Sequence, residues 1–124
     1  MAKKVMVVDD SRSVRLQVGT VLAAAGYEVI EAVDGVEGAA KIAAEMDLSL
    51  VICDVNMPNM NGIEMVTLIK QDPRNAGLLV LMLTTETRGT MIAQAKAAGA
   101  RGWIVKPFKP DLLLATVRKV AGGA

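Results

Sequence analysis

The 124-residue chain has no histidine, one cysteine and three aromatic residues, Tyr27, Trp103 and Phe108. Without histidine there is no Ser-His-Asp or Cys-His catalytic group, no histidine-ligated zinc and no internal phosphohistidine donor. A lone cysteine, Cys53, cannot close an internal disulfide, and its place in the run Leu50-Val51-Ile52-Cys53 reads as a small buried hydrophobe. No apolar run approaches the ~20 residues that a membrane-spanning helix needs. After Met1-Ala2-Lys3-Lys4 only the short run Val5-Met6-Val7-Val8 precedes Asp9, too little for a secretory signal, so the cytoplasm is the expected compartment. The scarcity of aromatics and the dispersal of the basic residues argue against direct nucleic-acid binding.

What is present fits one domain with a real core: 52% of residues are hydrophobic and 22% charged. The net charge of +1 hides an asymmetry. Residues 1–62 carry 5 Lys/Arg against 9 Asp/Glu, a balance of −4, and residues 63–124 carry 9 against 4, a balance of +5. An acidic protein is the partner that the basic half suits best.

Short apolar runs alternate with segments of helical period, the pattern of βα units around a parallel sheet. Five pairs are expected. Strands are predicted at 4–8, 28–31, 48–53, 78–83 and 102–105. The first helix carries Val14, Val18, Val21 and Leu22 inward and ends at Gly26, and the second opens at capping-box spacing with Asp34 and Glu37 and turns Val36, Ala40 and Ala43 inward. Asn61 and Glu64 repeat the capping pattern for a third helix lined by Ile63, Val66 and Ile69 and broken at Asp72-Pro73. The fourth, residues 88–98, is alanine-rich and weakly periodic, with Met91, Ile92 and Ala95 as its buried positions, so it should pack least firmly. Pro110 opens a fifth carrying Leu113, Val117 and Val120, after which the tail 121–124 should fray.

In a parallel sheet the strand ends gather along one edge, where open α/β folds bind ligands. Here four of those ends present Asp9-Asp10, Asp54, Thr84 and Lys106. Singly, each has a plain explanation: Asp9-Asp10 as a helix cap, Asp54 as a turn residue, Lys106 as a solvated loop charge. Jointly they put three carboxylates and an ammonium in one crevice. Carboxylates that close repel unless a cation lies between them, and such oxygens with water suit Mg²⁺.

The segments Val7-Val8-Asp9-Asp10-Ser11, Asp54-Val55-Asn56-Met57-Pro58-Asn59-Met60-Asn61-Gly62, Leu83-Thr84 and Lys106-Pro107-Phe108 resemble the motifs of response-regulator receiver domains, in order and spacing, over essentially the whole chain. The similarity is strongest to the single-domain, chemotaxis-type (CheY-like) regulators. It implies one receiver domain over residues 1–124, with a flavodoxin-like, doubly wound, five-stranded parallel sheet of order 2-1-3-4-5 and five helices. It implies a phosphoryl group accepted from a sensor histidine kinase onto Asp54. Mg²⁺ would be held by Asp10, Asp54 and the backbone carbonyl of Asn56, with Asp9 acting through water. Thr84 and Lys106 would contact the phosphoryl group, Trp103 would be the switch aromatic, and Asn56 and Glu86 would tune hydrolysis of the acyl phosphate. Such a domain catalyses only its own phosphorylation and dephosphorylation. A downstream protein is expected on the face of the fourth helix, fifth strand and fifth helix, drawn by Arg88, Lys96, Arg101, Lys109, Arg118 and Lys119. The chain is expected to be monomeric at rest, with phosphorylation-dependent dimerisation open.

Two positions depart from the family pattern. Trp103 stands where tyrosine or phenylalanine is usual and is larger, which leaves a switching and a static interface role both open. Thr85 stands where alanine is common and narrows access to the phosphoryl site. Among other functions, a Mg²⁺-dependent aspartyl phosphatase of the haloacid-dehalogenase type would ordinarily carry Asp-x-Asp, and Asp54-x-Asn56 lacks the second acid. A pseudo-receiver acting only as a binding module would not need the complete set of site residues. Within the receiver reading, chemotaxis signalling, a phosphorelay intermediate and control of another partner protein remain distinct outcomes.

Overall fold

The computed structural model describes residues 3–45 and 47–123. Met1, Ala2, Met46 and Ala124 lie outside the described residues, and with them the reading of the extreme N-terminus; of the tail 121–124, expected to fray, Ala121 instead ends the last helix and the Gly122 carbonyl accepts the Tyr27 hydroxyl at 2.6 Å. Five βα units follow one another: β1 (Lys4–Val8), α1 (Arg12–Ala24), β2 (Glu28–Ala32), α2 (Gly35–Ala44), β3 (Leu48–Cys53), α3 (Gly62–Lys70), β4 (Leu79–Thr84), α4 (Gly89–Ala98), β5 (Gly102–Val105) and α5 (Pro110–Ala121). All strand pairings are parallel and the sheet order is β2-β1-β3-β4-β5, as expected. No helix among the described residues is long and apolar enough to cross a membrane.

The central strands are apolar on both faces because both faces are covered. Along β1, Val5 and Val7 join the cluster under α1 and α5, which contribute Val18, Leu22, Leu113 and Val117. Met6 and Val8 point the other way, into the cluster filled by Ile42, Met65, Val66, Ile69 and Ala95 of α2, α3 and α4. The same alternation runs through β3 (Leu50 and Ile52 against Val51 and Cys53) and β4 (Leu81 and Leu83 against Val80 and Met82). A two-sided core of this kind fixes the strand register, since a one-residue slip would exchange the two faces throughout.

The inward face of α2 differs from the expectation. Val36, Ala40 and Ala43 are exposed, and Gly35, Gly38 and Ile42 are buried. A Cβ on Gly38 would stand 2.8 Å from Met65 Sδ and 3.1 Å from a Val8 methyl, so α2 lies close to the sheet through its glycines. Hydrophobicity alone cannot signal such a face. The α2 cap also differs: Asp34 accepts the Glu37 N–H at 2.8 Å, but Glu37 returns its carboxylate to the Val33 N–H at 2.9 Å. Asn61 and Glu64 form the complete reciprocal box. Asp72-Pro73 ends α3 as expected, in a short 3₁₀ turn at Pro73–Asn75. The helix α4 fully buries only Ala95, with Met91 and Ile92 half-buried, in keeping with its weak apolar pattern.

Candidate functional site: an acidic cluster bridged by lysine

The parallel order brings the ends of β1, β3, β4 and β5 side by side. Asp9 follows β1 and donates its N–H to the Ala32 carbonyl at 3.1 Å, and Asp54 follows β3 and donates its N–H to the Val8 carbonyl at 3.0 Å. Backbone bonds thus continue the ladder one residue past the strands and fix where both carboxylates start. The cap of α1 is Ser11, whose hydroxyl accepts the Val14 N–H at 3.3 Å. Neither aspartate is spent on that helix. Asp9 is instead tied by the Ser11 N–H, 2.8 Å from its Oδ1, and its carbonyl accepts the Arg15 guanidinium at 2.6 Å.

Lys106 closes the cluster from the end of β5. Its N–H donates to the Thr84 carbonyl at 2.9 Å, and its Nζ donates to Asp9 Oδ2 at 2.7 Å and to Asp54 Oδ2 at 3.0 Å. Asp9 and Asp54 are buried, and Asp10 is exposed at the mouth. One carboxylate oxygen from each of Asp9, Asp10 and Asp54 lies within 4.8 Å of the others. Three converging hard-oxygen donors, one open to water, are a donor set that fits Mg²⁺.

The electrostatics follow from this crowding. Desolvation raises the Asp9 pKa, Lys106 and the Ser11 N–H pull it down, Asp54 adds repulsion, and the net shift is upward. For Lys106, burial favours the neutral amine, but the hydrogen bonds and charges of Asp9 and Asp54 outweigh it and hold the ammonium above its ordinary range. Burial pushes the Cys53 thiol up, with the neighbouring carboxylates adding to the shift, so Cys53 is an inert core residue despite adjoining Asp54.

Thr84 is fully buried at the end of β4, and its hydroxyl oxygen accepts the Glu86 N–H at 3.2 Å. Trp103 lies on β5, half-buried, packed against the cluster under α4. Its indole N–H donates to the Glu86 carbonyl at 3.0 Å. The Glu86 carboxylate is taken by Arg88, through the guanidinium at 2.8 and 2.9 Å and the backbone N–H at 2.9 Å, which lowers its pKa to about 2. Asn56 is exposed on the β3–α3 loop, with its N–H 3.4 Å from Asp54 Oδ1. Asp9, Asp10, Asp54 and Lys106 therefore form one cluster. Thr84, Glu86 and Trp103 form a second, linked to it by the Lys106 N–H bond to Thr84. Ser11 enters the sequence motif without a role and Arg15 does not enter it; the position of Ser11 directly after the acidic pair, and of Arg15 one helical turn further on, is the signal that points to them.

A doubly wound sheet with an acidic, lysine-bridged site at its carboxyl edge defines a class of α/β domains that bind charged groups there. The model of the response regulator receiver domain matches residues 5–118, and the chain belongs to that family. Its members are signalling domains rather than classical enzymes. The chemotaxis protein CheY1 of Helicobacter pylori (strain ATCC 700392 / 26695) is 39% identical over 120 residues, covering 96% of this chain and 97% of that protein. Vibrio cholerae chemotaxis protein CheY4 superposes with a TM-score of 0.91 at 44% identity, covering 97% of this chain and 99% of that one. A chain of the CheX–CheY–BeF3–Mg²⁺ complex of Borrelia burgdorferi superposes with a TM-score of 0.88 at 28% identity, covering 95% and 88%.

Proposed function

We propose that residues 1–124 act as one receiver domain that accepts a phosphoryl group from a sensor histidine kinase onto Asp54 and thereby switches a protein-binding face, in chemotaxis-type signalling in the cytoplasm. The observation that carries this reading is the bridge of Lys106 Nζ to Asp9 and Asp54 beside Asp10. A carboxylate meeting a dianionic phosphoryl group is repelled by it, and these acids would hold Mg²⁺, which when bound would supply the neutralising charge. Asp10, Asp54 and the Asn56 carbonyl would hold the cation, with Asp9 acting through water. An Asp54 carboxylate oxygen forms the new bond to phosphorus as the P–N bond to the donor imidazole breaks, its electron pair returning to the ring nitrogen, which takes up a proton from water. Lys106 gives up Asp54 and directs its ammonium to a phosphoryl oxygen.

Thr84 turns its hydroxyl proton to the same group, drawing the end of β4 and the following loop inward. Trp103, hydrogen-bonded to that loop, senses the movement. Asn56 and Glu86 border the approach of the hydrolysing water and set the lifetime of the acyl phosphate. The chemotaxis proteins among the relatives support the pathway assignment.

The test is to incubate the protein with a small-molecule phosphodonor and Mg²⁺ and to map the adduct. Label is expected on Asp54 alone and is lost in Asp54→Ala; label that persists undiminished in the variant overturns the assignment.

A further inference from the structure

The β3–α3 loop, residues 54–61, carries the one backbone conformation that a side chain rarely adopts. Asn59 has φ 68°, the only positive φ of a non-glycine among the described residues. The Met60 N–H donates to the Pro58 carbonyl at 2.7 Å, so Asn59 sits at the centre of a three-residue turn of the strained, positive-φ kind. Strain of this sort persists only where the surroundings over-determine it.

Those surroundings belong to another loop. Asn59 Nδ2 donates to Asp34 Oδ2 at 2.7 Å, and the Gly35 N–H donates to the Met60 carbonyl at 3.2 Å. A Cβ on Gly35 would stand 2.6 Å from that carbonyl oxygen, so the close approach depends on glycine there. Asp34 is buried, and its two oxygens are divided between capping α2 and holding Asn59. At its base the same loop is tied by the Asn56 N–H to Asp54 Oδ1 and by the Gly62 N–H to the Val55 carbonyl at 2.9 Å. The segment bearing Asn56 is thus pinned at both ends. Glycine at 59 would relieve the turn without cost to φ, and asparagine adds the one thing glycine lacks, a side chain that reaches Asp34.

We infer that Asp34 and Asn59 form a clasp that positions the β3–α3 loop over the acidic cluster, so that a contact outside the cluster sets its affinity for a divalent cation. Both are positioning residues, acting through the Asn56 carbonyl and the Asp54 carboxylate. The inference rests on the cation site proposed above.

Calorimetric titration of the full chain with magnesium chloride tests it, using wild type, Asn59→Gly, Asp34→Ser and the double variant. Asn59→Gly keeps the net charge and tolerates the backbone, and serine at 34 still caps α2. Asn59→Gly should raise the Mg²⁺ Kd about two- to tenfold, the range one net hydrogen bond supports. It should add nothing in the Asp34→Ser background, where the clasp is already open. Amide exchange should quicken at Met60 and stay unchanged at Ile52 in mid-β3.

An unchanged Kd in Asn59→Gly, or an equal factor in both backgrounds, overturns the clasp. So does exchange that rises as much in β3 as in the loop. If wild type itself binds no Mg²⁺, the cation site and the clasp fall together; if wild type binds and is phosphorylated on Asp54 while Asn59→Gly matches it, the clasp alone falls.

Discussion

The Thr84 hydroxyl oxygen accepts the Glu86 N–H at 3.2 Å, and the carbonyl of the same Glu86 accepts the Trp103 indole N–H at 3.0 Å. One residue of the β4–α4 loop therefore ties a fully buried threonine to the chain's only tryptophan. With its oxygen already serving as acceptor, the hydroxyl has its proton left to donate. A phosphoryl oxygen on Asp54 would engage that proton and move the loop to which Trp103 is bonded. Beryllofluoride with Mg²⁺ should shift Trp103 fluorescence, and Thr84→Ala should abolish most of the shift while Mg²⁺ binding persists. An identical spectrum with the mimic demonstrably bound would make Trp103 a static residue.

Lys106 holds two buried carboxylates apart from direct repulsion. Lys106→Ala leaves Asp9 and Asp54 without their common counter-charge, and breaking a buried pair of this kind costs about 3 kcal/mol. Mg²⁺ should then recover more stability in the variant than in wild type, since it no longer competes with the ammonium and stabilises by mass action. Urea midpoints with and without Mg²⁺ check this. Phosphorylation should still proceed in Lys106→Ala, with the fluorescence response of Trp103 impaired.

Asp9 gives the pH dependence. Its folded-state pKa is raised, chiefly by desolvation, so its contribution favours the fold fully below its unfolded pKa and is lost as pH rises through the folded value. Above that window the charged form costs stability. Asp9→Asn should therefore gain stability relative to wild type as pH rises to neutrality, measured without Mg²⁺. The gain should vanish as pH falls below the ordinary carboxylate range. Lys106 is raised too, so its contribution is whole below the ordinary lysine range and is lost as pH climbs through its folded value. A stability difference for Asp9→Asn that is flat from pH 3 to pH 8 would contradict the assignment.

Glycine at 62 is set by the backbone of the phosphoacceptor candidate. A Cβ there would lie 2.0 Å from the Asp54 carbonyl oxygen, a backbone atom that cannot swing aside, whereas a Cβ on Gly77 meets nothing within 4 Å. Gly62→Ala should destabilise by about 3 kcal/mol, and Gly77→Ala by well under 1 kcal/mol, as read from urea midpoints.

The strand order, the two-sided core and the gathering of Asp9, Asp10, Asp54 and Lys106 were legible because apolar runs of strand length end in charged residues. The boundaries of β3 and β5 agree with the sequence reading, and β4 is shifted by one residue to include Thr84. What escaped is held by backbone approach or by distant side-chain pairs. The buried face of α2 is written in Gly35 and Gly38, which carry no hydrophobic signal. The Asp34–Asn59 bond joins loops 25 residues apart, and neither residue type distinguishes that use from an ordinary cap or turn. Arg88, counted among the free basic charges of the partner face, is engaged by Glu86.

The remaining basic residues bear on the partner. Lys96, Arg101, Lys109, Arg118 and Lys119 are all exposed on or beside α4, β5 and α5, with the apolar side chains of Val105 and Leu112 open among them. A mainly basic field around an apolar centre, interrupted by the exposed Asp111 of α5, favours an acidic protein and speeds encounter more than it strengthens the final complex. Because Arg88 is paired within the chain, its reversal should matter less than that of Lys96 or Lys119. With a partner captured by the beryllofluoride-loaded protein, Lys96→Glu and Lys119→Glu should each slow association about tenfold at low salt and leave dissociation nearly unchanged. Raising the ionic strength should shrink the gap between variants and wild type, as screening removes the attraction the variants have already lost. Association indifferent to both salt and charge reversal would place the partner on another face.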